Sequence, residues 1–398
     1  MTFVCAVCAH REAFEIVSYP SYPAFLPPLP RDLAREVVRA PLTLVACRAC
    51  GHFQVPHVDP EVQRLLYEVY YRHYEVDTLE TMVPAYREPF NRLVESLALP
   101  NGRLLEIGSS SGAMVPFLTR FCREYTGVDP SERIELARAR YPSHSFIRSY
   151  FPSDVVQGPF DVAVSQFNLE HIEKAGDFIA ALAAVVREGG VLLLQVPDAG
   201  YFIRTHQPNF VAHEHVHYFR RAQLSILLGA HGFDVEQWGD EGPSIICAAR
   251  RTPHPPFGHL LPASGEKGNH PPLPLAPLAG RGWREAPGEG LTEAQALREL
   301  CSNVPDLPPI PVLYGVGLTL HWLLAKDAIS DGATVVDDNP NYQGKGVPAY
   351  DLPIEKPTRE LLDGRDVVLT LNAIYHDRVI ERIREMGATV RVHRIGGA

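Results

Sequence analysis

From residue 103 onward, short apolar runs alternate with amphipathic stretches. R-L-L-E-I ends at Glu106–Ile107 and leads into a turn of small residues framed by Gly108 and Gly112. A-M-V-P-F-L-T-R then reads as a continuing helix. A second run, Y-T-G-V-D, ends in Asp129 and Pro130 and is followed by a helical S-E-R-I-E-L-A-R-A-R. A third, F-D-V-A-V-S-Q, reaches Gln166 and opens into a polar loop with Asn168 and His171. The stretch D-F-I-A-A-L-A-A-V-V-R-E-G-G predicts an amphipathic helix closed by its glycines, and V-L-L-L-Q-V-P-D predicts one more strand. Strands alternating with helices predict an α/β fold on a mostly parallel sheet, with its site at the carboxyl ends of the strands.

The pattern returns on a smaller scale near the C-terminus. V-L-Y runs into Gly315 and Gly317, A-T-V-V ends in Asp337 and Asp338, and D-V-V-L-T-L-N supplies a third strand. A second, smaller Rossmann-like unit is expected there, with no ligand specified by the pattern alone. Residues 60–100 read as helical and connecting. In them Tyr67, Tyr70, Tyr71 and Tyr74 fall on one face by the three-and-four spacing. At least two should face the core, and Tyr71 and Tyr74 are the candidates for hydroxyls lining a substrate pocket.

At 398 residues the chain is too long for one ordinary core, so two or three domains are expected. The expected boundaries are 1–60, 61–252, 253–290 and 291–398. With 45% hydrophobic and 21% charged residues the chain reads as a globular protein. No apolar run spans a bilayer and no secretory signal is evident, so no membrane partner and a cytoplasmic location are expected. A formal charge of −10 argues against a dedicated nucleic-acid binder. Monomer and homodimer are both open. Residues 253–290 hold 9 Pro and 7 Gly, too dense for a packed element, and are expected to be a loosely draped insertion without function.

Seven cysteines are present, four of them in two C-x-x-C pairs: Cys5 with Cys8, and Cys47 with Cys50. Two such knuckles close a four-sulfur zinc site, and the second ends in Gly51, suited to a tight turn. A redox dithiol fits two separate knuckles poorly, and a structural Zn2+ is expected. In H-E-H-V-H-Y-F, His213, His215 and His217 alternate. On a strand they would share a face, which leaves a metal site open beside a set of structural histidines.

The first glycine turn lacks the G-x-G-x-x-G of dinucleotide binders. Residues 103–200 instead resemble a class I S-adenosylmethionine (SAM) methyltransferase. The whole order of knuckles, core, H-E-H element and Y-G-x-G…D-D-N-P module resembles the C-methyltransferases of nucleotide-linked keto-deoxysugars, over nearly the whole chain outside 253–290. The resemblance implies SAM held by Glu106, Gly108, Ser110, Gly112, Asp129, Pro130, Gln166 and Asn168, and an acceptor enclosed between the middle and last domains. It implies His215 as the base that removes an α-proton, Glu214 orienting it, His171 as enolate donor or second proton carrier, and Tyr71 and Tyr74 nearby. Two positions depart from the family. Ala212 stands where a tyrosine precedes H-E-H, and Leu318 to His321 carry no lysine after the last glycine turn. Both departures keep open an O- or N-methyltransferase of another small-molecule acceptor, or a non-catalytic SAM-binding relative.

Overall fold

The structure is a computed structural model describing residues 3–73, 84–207, 210–253 and 289–396. Tyr74 and nearly all of the 253–290 insertion lie outside the described residues.

The head opens with β1 (Ala13–Pro23) and β2 (Arg39–Cys47), which pair antiparallel, and β2 pairs in turn with β3 (Phe53–Gln54). The helix that follows stops earlier than the tyrosine spacing predicts. It runs Pro60–Glu68, with Asp59 accepting from the Glu61 and Val62 amides, and gives way to a 3-10 turn over Tyr70–His73. Tyr67, Tyr70 and Tyr71 therefore share no single helical face. Tyr70 is buried, whereas Tyr67 is 43% exposed and stacks on Tyr71 at 5.4 Å between ring centroids.

The middle unit is built on β4 (Arg103–Ile107), β5 (Glu124–Asp129), β6 (Ser145–Arg148), β7 (Phe160–Gln166) and β8 (Val186–Pro197). These five lie in the order β6-β5-β4-β7-β8, all parallel. After β9 (His217–Tyr218), the strands β10 (Phe233–Trp238) and β11 (Ser244–Arg251) complete the sheet, with β11 inserted antiparallel between β8 and β10. The parallel order is that of the doubly wound sheet that the alternation of strands and helices predicts. Two local expectations change. The helix after β4 is only Val115–Leu118 with a 3-10 turn beyond it. The helix Ala175–Val185 ends before the glycines, and Gly189, at φ 70°, lies inside β8 where its pairing with β7 shifts register.

The short β9 does not join that sheet. It pairs with β3, so the H-E-H element is sewn to the head. The three histidines were expected to face one way if this segment were extended. Only His217 lies in a strand, and residues 213–214 form a turn, so the three side chains diverge.

The last unit is a five-stranded parallel sheet: β12 (Val312–Tyr314), β13 (Thr334–Val336), β14 (Ile354–Glu355), β15 (Asp366–Leu369) and β16 (Arg391–Arg394), in the order β14-β13-β12-β15-β16. Its inner face and the head share one hydrophobic core. Tyr22, Leu42 and Phe53 from the head pack in the same cluster as Leu313, Trp322 and Val368. Backbone bonds stitch the two together, with Gly346 N donating to Leu29 O at 2.9 Å and Ala349 N to Ala34 O at 2.7 Å. No helix among the described residues is long and apolar enough to cross a membrane.

Candidate active site and its supports

Side-chain alternation along β4 puts Glu106 on the same face as Leu104, in the layer that holds Tyr125. Glu106 is 5% exposed and accepts the Tyr125 hydroxyl. Burial pushes its carboxyl up to about 7, against the pull of that hydrogen bond. Glu106 thus supports the turn from beneath. The turn itself carries Gly108 at φ 80°, Ser110 at φ 45° and Gly112 at φ 81°. A side chain at Gly108 would come within 2.5 Å of the Asn168 amide, so the absence of Cβ lets the third loop close over the first. Asn168 secures that closure by donating to Ile107 O at 2.9 Å.

Asp129, at the tip of β5, accepts from Ser110 N at 2.9 Å through Oδ2 and from Ser131 N at 2.8 Å through Oδ1. Oδ1 also accepts the Ser131 hydroxyl, so Oδ2 is the oxygen that keeps a further lone pair for a ligand hydroxyl, as a ribose-binding acid at this position requires. Pro130 is exposed beside it. Gln166 is tied by its Nε2 to Gln195 Oε1 at 2.7 Å, and Gln195 donates to Tyr86 O at 3.0 Å. The expected cofactor residues therefore ring one edge of the sheet, with Glu106 behind them.

The second cluster forms where residues 213–216 cross the 3-10 turn Leu169–His171. Val216 N donates to Glu170 O at 2.7 Å, and His171 Nδ1 donates to Glu214 O at 2.7 Å. The second bond fixes the His171 tautomer, because a carbonyl can only accept. Nε2 of neutral His171 is therefore a bare acceptor. The His215 ring lies 4.9 Å from that of His171, at 73°. Burial, and then the neighbouring His171, hold His215 well below the usual imidazole range, so it is neutral at pH 7 with a lone pair available. Tyr71 donates its hydroxyl to Glu214 Oε2. The structure thus brings together Tyr71, Glu214, His171 and His215. It also adds Glu170, which the sequence reading passed over. Glu170 is 1% exposed, with Oε1 3.8 Å from His171 Nε2, and burial pushes its carboxyl up to about 7. Its signal was present: an acid between Leu169 and His171 in a turn that packs inward.

His213 and His217 take separate paths. The His213 ring lies 6.3 Å from Tyr22, toward the head. His217 bonds through Nε2 to Ile172 O at 3.1 Å and through Nδ1 to His52 at 3.2 Å. Where the family tyrosine would stand, Ala212 is buried, and its amide and carbonyl are both bonded by the Tyr218 hydroxyl.

The four knuckle cysteines converge. Cys5 and Cys50 sulfurs are 3.5 Å apart and Cys8 and Cys47 sulfurs 3.6 Å, with all four within 4.8 Å of one another. Tetrahedral zinc–thiolate bonds place sulfurs about 3.8 Å apart, so the set fits that ion. The knuckles are geometric twins. Ala9 N donates to Cys5 O and Gly51 N to Cys47 O, both at 2.9 Å, and Ala9 and Gly51 both have positive φ.

The last unit repeats the first glycine turn. Gly315 N donates to Val336 O as Gly108 N does to Val128 O, both at 2.8 Å. Asp337 accepts from Val316 N and from Asn339 N, each at 2.8 Å, as Asp129 does from Ser110 and Ser131. His321 does not replace the missing lysine: it is buried and bonds back to Gly317 O at 3.1 Å.

Residues 79–237 match a family model described as a methyltransferase domain. With the sheet order and the glycine–acid turn, this defines the protein as a SAM-dependent methyltransferase with a class I Rossmann-like core. The chain is 25% identical to the C-methyltransferase NovU of Streptomyces niveus over 400 residues, covering 96% of this chain and 92% of that relative. A ubiquinone biosynthesis O-methyltransferase of Rhodopseudomonas palustris is 29% identical over 111 residues, covering 26% of this chain and 44% of the relative. Among solved structures, the chain is similar to the 1,6-didemethyltoxoflavin-N1-methyltransferase of Burkholderia thailandensis with bound S-adenosylhomocysteine. That likeness has a TM-score of 0.40 at 17% identity and covers 50% of this chain and 96% of the other.

Proposed function

We propose that the protein methylates carbon on a nucleotide-linked keto-deoxysugar through an enolate. The observation that carries this reading is the pairing of a neutral, half-buried His215 with His171 beside the Asn168 loop. A carbon next to a ketone becomes a nucleophile only when its proton is taken by a base within about 3 Å or one water. A methyl transfer to an existing oxygen or nitrogen lone pair has less need of such a base. Similarity to a C-methyltransferase along nearly the whole chain supports the same reading.

In this mechanism SAM supplies an electrophilic methyl on a sulfonium. Gly108, Ser110, Gly112 and Asp129 hold it, with Pro130, Gln166 and Asn168 bordering the same edge. His215 takes the α-proton and becomes an imidazolium. Glu214 carries the Tyr71 hydroxyl on its carboxylate and, through its backbone carbonyl, orients His171 against the His215 ring. Bound by the glycine turn and Asp129, SAM would supply its methyl to the carbon that His215 has deprotonated and would leave as S-adenosylhomocysteine. His171, whose Nδ1 proton is committed to Glu214 O, is the second proton carrier, its Nε2 accepting the proton that His215 has taken. Tyr74 belongs to the same proposal by sequence alone. The Asp337 turn of the last unit is the proposed platform for the nucleotide, and Cys5, Cys8, Cys47 and Cys50 the proposed ligands of a structural zinc.

The test is calorimetric titration with S-adenosylhomocysteine, then with thymidine diphosphate added to that complex, followed by incubation with a keto-sugar nucleotide in deuterated water. Binding of both, with deuterium entering the sugar, supports the carbon route. Cofactor binding without nucleotide binding or exchange moves the acceptor to another class, and an O- or N-methyltransferase becomes the better reading.

A further inference from the structure

We propose that Glu170, His171 and His215 form a second cation site, for a divalent ion of the zinc class, and that its occupancy switches off the base. The second half of this proposal rests on His215 being that base; the first half does not. One carboxylate oxygen and two imidazole nitrogens here lie within 4.8 Å of one another. The Glu170–His171 contact is 3.8 Å.

Three features make this more than a chance meeting of polar groups. The first is the His171 tautomer. Its Nδ1 proton is committed to Glu214 O at 2.7 Å, which aims a bare Nε2 at the cluster. Metal-ligating histidines are set in this way, with the far nitrogen donating to a carbonyl or carboxylate. The second is Glu170. Its side chain is nearly inaccessible, and among the described residues its Oε2 has no hydrogen-bond partner. An unpartnered buried carboxylate is costly, and a cation removes that cost. The third is anchoring. The Val216–Glu170 backbone bond holds the two loops in register, so donors from distant parts of the chain meet on a fixed frame.

Two histidines and a carboxylate suit zinc, cobalt or nickel better than magnesium or calcium, which prefer all-oxygen shells. Zinc–nitrogen bonds of about 2.0–2.1 Å put tetrahedral donors roughly 3.3 Å apart. The donors, 3.8 Å apart for Glu170 and His171 and within 4.8 Å overall, draw in toward that spacing when the ion binds. A cation held there occupies the lone pair that would take the substrate proton. It leaves the four-cysteine site untouched, since that site uses different donors.

The probe is cobalt(II), titrated into the full chain already carrying one zinc per chain. The readouts are calorimetry and visible absorption. One further equivalent is expected, with weak ligand-field bands and none of the intense thiolate absorption that cobalt in the cysteine site gives. His171→Ala and Glu170→Gln should each weaken this event by roughly 100-fold or more while keeping the first zinc. His215→Asn serves as a third variant should either of those fail to fold. No second equivalent in the wild type, or one that survives in the folded variants, overturns the site. Proton exchange of an acceptor that continues with the cobalt bound overturns the switch. Failure of the carbon-methylation reading leaves the stoichiometry measurement unaffected, so the two can fail separately.

Discussion

His52 and His217, 165 residues apart in the chain, share a hydrogen bond of 3.2 Å between Nε2 and Nδ1. His217 Nε2 faces the carbonyls of Ile172 and Glu173, which can only accept. Its Nδ1 is therefore the acceptor and His52 the donor. The bond runs from the residue after the second knuckle's Gly51 to β9, whose His217 reaches on to the carbonyls just beyond the turn that carries His171. Replacing His217 with Ala should leave the buried His52 Nε2–H without a partner and cost about 2–4 kcal/mol of stability by denaturant unfolding.

Burial holds the His217 pKa down to about 4. An unfolded histidine titrates near 6.5, so between about pH 6.5 and 4 the unfolded state binds a proton that the folded state does not. Stability is therefore complete above pH 6.5 and should fall by roughly 3 kcal/mol as the pH drops to about 4. The difference between wild-type and His217→Phe unfolding curves should narrow across that window. A constant difference would show that His217 does not titrate this way.

Gly108→Ala places a methyl group 2.5 Å from the Asn168 amide on a backbone at φ 80°. S-adenosylhomocysteine affinity should drop at least about 10-fold in calorimetry, because the closure of the two loops that frame the cofactor is lost.

Zinc content should be one per chain and should fall to none in Cys47→Ser. Cys5, Cys8 and Cys47 pack in the same cluster as Phe219 and Leu224. The loss should therefore lower stability by several kcal/mol and loosen the H-E-H loop as well as the head. Metal analysis with amide exchange over residues 213–219 measures both.

His215→Asn should abolish α-proton exchange while leaving cofactor-product affinity within about 2-fold, since Asp129 and the glycine turn are untouched. Because burial lowers the His215 pKa, the acid limb of the wild-type exchange profile should lie below pH 6.5.

The parallel core and the second, smaller sheet were legible in the sequence because each strand, turn and helix there is a local pattern. The four cysteines were legible for the same reason, and so were Gly108 and Asp129. What escaped the reading depends on distant partners. The tyrosine stripe breaks at Val69 because Tyr70 turns in to pack on Phe25, whose ring lies 5.6 Å away. The alternating histidines diverge because β3 captures only His217 and Tyr218. Glu170 joins His215 because a backbone bond to Val216 brings the two loops together.

The core shared between Tyr22 in the head and Trp322 in the last unit sets an order of events during synthesis. Some 300 residues separate the two, about 15–60 s of translation at typical rates. The apolar faces of β1 and β2 emerge long before the residues that cover them. The head is thus early to leave the ribosome and late to finish folding, and chaperone demand should concentrate on it in that interval.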